Sequence, residues 1–107
     1  MHYQKYHPQG KLINVIQGSI FDVVVDIRKN SKTYGKYQSF ILSSDNCKQL
    51  WIPKNFAHGF LTLSPNVIVN YKCTELYDPK DQNTIIWNDR DLNIKWPNKN
   101  PIISNND

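Results

Sequence analysis

Along most of this chain the apolar positions recur every second residue rather than every third or fourth. The clearest run sets Phe21, Val23, Val25 and Ile27 against Asp22, Val24, Asp26 and Arg28. That is the pattern of a strand whose successive side chains point to opposite faces. Val67, Val69, Tyr71 and Cys73 repeat it. Strands are predicted over residues 11–16, 19–27, 37–42, 48–52, 58–63, 67–73 and 84–87. No window of helical length carries a sustained 3.6-residue apolar stripe, and residues 78–83 read as one helical turn and no more. Gly10, Gly18, Gly35 and Gly59, with Pro53, Pro65, Pro79 and Pro97, divide the segments at short intervals. Short strands between turn residues predict an all-β sandwich or barrel, with a jelly-roll β-barrel as the expected form.

Composition narrows the class without naming a function. A length of 107 residues predicts a single domain over 1–107, small enough to draw stability from a partner subunit. With 39% hydrophobic and 21% charged residues the chain is too apolar for disorder. A net charge of +4 suits an anionic ligand, whether a phosphate-bearing small molecule or a nucleic acid. Lys48, Lys54, Lys72 and Lys95 interleave with three Trp and six Tyr, as in surfaces for single strands. The basic residues are evenly spread, however, and Asp45, Asp78, Asp81, Asp89 and Asp91 interrupt them, so no nucleic-acid partner is expected. Trp51 and Trp87 are assigned mainly to the core. Cys47 and Cys73 lack zinc-type spacing and read as free thiols in a reducing compartment. There is no apolar run of membrane-spanning length and no signal-peptide pattern, so a cytoplasmic protein without a membrane partner is expected.

The three histidines are the first candidates for chemistry. A metal-binding barrel would need a closely spaced His pair followed by a Glu. Here His2 and His7 stand five apart, and no Glu occurs before Glu75, so no metal site is expected. Taken singly, each candidate has a plain structural reading. His58, between Phe56 and Phe60, would be a buried histidine bonded to backbone. His2 would be a mobile terminal residue, Lys11 a solvated lysine, Tyr71 a core or half-exposed aromatic, and Asp107 an idle terminal carboxylate.

Their combination reads differently. His2-Tyr3-Gln4, Pro8-Gln9-Gly10-Lys11-Leu12 and the run Gly18 to Arg28 closely resemble the dTDP-4-dehydrorhamnose 3,5-epimerase family. Ser31 to Lys36, Gln49 to Pro53, Phe56-Ala57-His58-Gly59-Phe60, Tyr71-Lys72, Ile86 to Asp89, Ile94 to Pro97 and Ile103 to Asp107 continue the match in collinear order. The resemblance implies a cupin-type jelly roll that works without metal or other cofactor and pairs as a homodimer. It implies a nucleotide-diphospho-sugar substrate, dTDP-4-keto-6-deoxyglucose, inverted at carbons 3 and 5 on the way to L-rhamnose. By the same resemblance His2 is the general base and Asp107 the carboxylate paired with it. Lys11 lies beside the ketone oxygen, Tyr71 is the acid on the opposite face, and His58 and Gln4 bind substrate.

The chemistry suits those residue types. Removing a proton beside a ketone at neutral pH needs a base and stabilisation of the enolate together. Imidazole, with a pKa of about 6.5, accepts the proton, and a carboxylate fixes its tautomer. A lysine supplies positive charge where the enolate oxygen develops. Inversion needs a separate acid on the other face, and a phenol is protonated at neutral pH.

Set against the family, the chain is expected to lack the N-terminal segment, the exchanged strand it supplies, and an arginine of the diphosphate clamp, because Met1 stands directly before His2. Weakened or lost turnover is expected in consequence. Leu76 stands where the rhamnose enzymes carry tyrosine. Epimerisation of one carbon only, ketoisomerisation, and binding without catalysis stay open as alternatives.

Overall fold

The computed structural model describes residues 1–107. Eight strands and no helix form: β1 (His2–Gln4), β2 (Lys11–Gln17), β3 (Ser19–Asp26), β4 (Tyr37–Ser43), β5 (Gln49–Ile52), β6 (Phe56–Thr62), β7 (Ile68–Cys73) and β8 (Gln82–Thr84). They lie in two antiparallel sheets, one in the order β4-β3-β6-β1-β8 and the other in the order β5-β2-β7. This is the all-β jelly-roll architecture that the period-two pattern predicted.

The chain passes from one sheet to the other between β2 and β3 with a single intervening residue, Gly18. Its φ of 78° lies in the left-handed region, where a Cβ is costly. A Cβ here would also sit 2.3 Å from the Asn66 carbonyl oxygen.

Both faces of the five-stranded sheet are covered. On β3, Ile20 joins Ile13, Val15, Leu42 and Ile52 in the core between the sheets, with Val24 packed against it. The other face carries Val23 and Val25, which bury against Met1 and Ala57 beneath Leu92, Ile94 and Trp96 of the C-terminal segment. Two-sided burial explains why the polar half of the β3 alternation is not solvent-facing. Asp22 is fully buried and Asp26 nearly so. Asp26 is satisfied locally: Arg28 donates three hydrogen bonds to it, from its backbone N, Nε and Nη2, and the Ser31 and Thr33 hydroxyls donate two more.

The structure departs from expectation at four points. Strand β1 was not foreseen, since three residues carry no readable period. The strand predicted over 84–87 forms instead over Gln82–Thr84. After it, Ile85 N donates to the Met1 carbonyl and the chain turns between Ile86 and Asp89. The single turn foreseen over 78–83 closes by Asp81, whose N bonds the Asp78 carbonyl, leaving Gln82 and Asn83 to pair with Gln4 and Tyr3. Trp51 is not a core residue. It sits on the outward face of β5, 54% exposed, with its ring over Gly10. Trp87 is half-buried.

Candidate active site

Register decides which side chains face the space between the sheets. On β2 and β7, Val15 lies opposite Val69, Ile13 opposite Tyr71 and Lys11 opposite Cys73. The interior row therefore runs from apolar packing to groups that can carry charge or a proton. On the other sheet, Val24 pairs with His58, His58 with His2 and His2 with Thr84. Antiparallel partners share a face, so both histidines face the same interior. A cleft of about 380 Å³ opens there, and His2, Lys11, His58, Tyr71, Gln82 and Asp107 are among the residues lining it.

His2 and Asp107 meet. His2 Nε2 lies 2.6 Å from Asp107 Oδ1, and both side chains are about 30% exposed. Asp107 Oδ2 accepts the Ser104 hydroxyl at 2.6 Å. The Ser104 bond leads in holding the Asp107 carboxyl below its ordinary range, and the His2 bond adds to it, against burial, which works to raise it. Asp107 is thus a carboxylate with both oxygens engaged, and the hydrogen in the 2.6 Å contact sits on His2 Nε2. On the other side of the ring, Nδ1 lies 3.0 Å from Gln82 Nε2 and 3.3 Å from Thr84 Oγ1.

Lys11 and Tyr71 line the opposing wall. Burial pushes the Lys11 ammonium below its ordinary value, with Cys73 and Asp22 nearby acting in the other direction. The Tyr71 ring leaves the apolar row of Val67 and Val69 and is 58% exposed, at the cleft.

His58 is buried as expected, but its partner is not backbone. Its Nε2 lies 2.8 Å from Asp22 Oδ2, while Asp22 Oδ1 is buried with no hydrogen-bond partner. An acid at an interior position of β3, between Ile20 and Val24, was the available signal for this pair.

Gln4 also lines the cleft, yet both of its amide N–H donors are taken. They bond the carbonyls of His7, at 2.8 Å, and Leu76, at 3.1 Å, and its oxygen accepts Asp78 N. Gln4 is therefore a brace between β1 and the segment leading to Tyr77. Asp81 ties the same wall from below by accepting the backbone N–H groups of Lys5, Tyr6 and His7. Burial alone would raise the Asp81 carboxyl, and those backbone donors hold it lowered instead. Cys47 and Cys73 are free thiols, as expected, and both are exposed.

The model of the dTDP-4-dehydrorhamnose 3,5-epimerase family matches residues 1–107. The chain belongs to this family. Among its relatives, a dTDP-4-dehydrorhamnose 3,5-epimerase of Methanothermobacter thermautotrophicus is 56% identical over 97 residues, covering 91% of this chain and 52% of the relative. The fold closely follows that of dTDP-6-deoxy-D-glucose-3,5-epimerase from Legionella pneumophila, solved in complex with dTDP-4-keto-L-rhamnose. That match has a TM-score of 0.95 and 45% identity, over 98% of this chain and 56% of the other. The Bacillus anthracis dTDP-4-dehydrorhamnose 3,5-epimerase, solved with TDP and PPi bound, superposes with a TM-score of 0.94 at 50% identity, over 96% and 59%. The chain thus spans little more than half the length of these family members. It has no helix long and apolar enough to cross a membrane.

Proposed function

We propose that this chain carries the proton-transfer site of a dTDP-4-keto-6-deoxyglucose 3,5-epimerase. The observation that carries the reading is the His2–Asp107 pair on one wall of the cleft, facing Tyr71 and Lys11 on the other. His2 takes the proton next to the ketone, and the electron pair moves onto the ketone oxygen as an enolate. Asp107 steadies the imidazolium that results. Lys11 supplies positive charge at the enolate oxygen from a partly desolvated position, where charge acts more strongly than in water. Tyr71, from the opposite sheet, returns a proton to the other face of the carbon, which inverts it. His58, held by Asp22, contacts the sugar, and Gln4 acts on the substrate through the loop it braces.

The reading includes a cytoplasmic setting, which suits two free thiols. It also includes a second copy of the chain as partner. Trp51, paired with Leu12 on the outer face of the three-stranded sheet, and Ile68, at the other end of the same face opposite Gln17, are half-exposed and support such an association.

The test is to incubate the protein with dTDP-4-keto-6-deoxyglucose and follow the sugar by proton NMR. Appearance of the sugar inverted at C3 and C5 is the expected result. Recovery of unchanged sugar from folded protein contradicts it.

A further inference from the structure

The imidazole of His2 is held from both sides, and of its three side-chain partners only Asp107 belongs to the proposed catalytic set. Asp107 is a carboxylate that can only accept, so Nε2 carries the hydrogen and the lone pair lies on Nδ1. Nδ1 is therefore the nitrogen that takes the substrate proton. In the free protein that lone pair is not open. Gln82 Nε2 lies 3.0 Å from it, with Thr84 Oγ1 at 3.3 Å.

The placement follows from register. Gln82 pairs with Gln4 and Thr84 pairs with His2, so Gln82 is the diagonal neighbour of His2 on the interior face. Gln82 lines the cleft together with His2.

We infer that Gln82 is a positioning residue that follows the proton on His2, donating through its amide nitrogen to the neutral ring and accepting through its amide oxygen once Nδ1 is protonated. A primary amide holds both groups and exchanges them by turning about its last bond, a torsion that is broad and roughly two-fold. A carboxylate in this place could only accept and would favour the imidazolium. An aliphatic side chain would leave Nδ1 only the more distant Thr84 hydroxyl, 3.3 Å away. The amide partners Nδ1 until the substrate C–H takes its place at the lone pair, and again through its oxygen once the ring carries the proton. The ring therefore keeps its orientation on either side of the transfer. This inference rests on His2 being the base.

The other ionisable groups around His2 are fixed across the variants compared. They are Asp107 from the C-terminal segment, His58 with its Asp22 from the neighbouring strands, and Tyr3, Lys11, Tyr71, Cys73 and Tyr77 around the cleft. The Met1 amino nitrogen lies 3.9 Å from Asp107.

The experiment is a nitrogen-15 resolved NMR titration of His2 in the native chain, Gln82→Glu and Gln82→Met, with the acid limb of kcat/KM measured beside it. In the native chain at high pH, His2 is expected as the Nε2–H tautomer. Gln82→Glu is expected to move its titration midpoint up by about one pH unit, a tenfold gain in proton affinity. The acid limb of kcat/KM should follow by the same amount. Gln82→Met removes the donor, so the Nδ1 resonance should move downfield while Asp107 keeps the tautomer, and kcat should fall with KM little changed. A Gln82→Glu protein that is folded and leaves the His2 midpoint unmoved overturns the inference, as does an unshifted Nδ1 resonance in Gln82→Met. The titration reads His2 whether or not the chain turns over. Expected shifts without any epimerisation would therefore remove the proposed function and leave the contact standing. Turnover with unmoved shifts would do the reverse.

Discussion

The side chain of Asp107 reaches His2 Nε2 at 2.6 Å although 105 residues separate the two in sequence. The contact depends on two separate folding events. Strand β1 must insert between β6 and β8, and the C-terminal segment must cross the outer face of the sheet, where Trp87 N approaches the Asp107 carbonyl and Ser104 holds its side chain.

Replacing Asp107 by Asn keeps the shape and removes the charge that stabilises a protonated His2. An amide can also donate to Nε2, which would force the hydrogen onto the wrong nitrogen. Asp107→Asn is expected to lower kcat by about 10²- to 10⁴-fold, with near-native stability in a thermal melt. A loss of less than threefold would mean that the pair is structural.

Tyr71 stands on the sheet opposite His2, so loss of its hydroxyl should separate the two halves of the inversion. In Tyr71→Phe the base remains, and exchange of the substrate proton with solvent continues from the His2 side. Inverted product is expected to fall by about 10²-fold or more. Parallel measurement of exchange and of product checks this, and equal loss of both would contradict it.

Much of the barrel was legible in the sequence because β2, β3 and β7 are long enough for a period of two to stand out. Strand β1 was not, because three residues gain their geometry from His58 and from Gln82–Thr84 far along the chain. The apolar run Ile85-Ile86-Trp87 suggested a strand, but Ile85 packs beneath the outer core beside Met1 while the backbone turns away. Around the site, family resemblance singled out His2, Lys11, Tyr71 and Asp107. The residues that orient them escaped it. Ser104 falls inside the matched stretch Ile103 to Asp107 but takes no role from the match, and Gln82 follows a turn, so neither offers a local signal of its own.

The buried Asp26 gives the fold a pH dependence of definite sign. Arg28, then Ser31 and Thr33, hold its carboxyl far below the ordinary range, against burial, which works to raise it. A carboxyl with a lowered folded-state pKa adds stability above its unfolded value of about 3.9, and the contribution is lost as pH falls below that. Asp26→Asn is expected to be less stable than the native chain at pH 7. The difference should shrink as denaturation midpoints are compared down to about pH 3. A constant difference across that range would contradict the assignment.

Gly18 has no substitute at the crossing between sheets. Gly18→Ala combines a left-handed backbone with a Cβ 2.3 Å from Asn66 O and 2.4 Å from Ser64 Oγ. Urea denaturation is expected to show a loss of about 1–3 kcal/mol. No measurable loss would show that the link relaxes freely.

The central claim is tested most directly by solvent exchange. The protein is incubated with dTDP-4-keto-6-deoxyglucose in D₂O, and the C3 and C5 protons are followed by NMR, with His2→Ala alongside. The account predicts deuterium entering at both carbons with the native chain and at neither with His2→Ala. Absence of exchange in the folded native chain, or exchange that survives in His2→Ala, would contradict it.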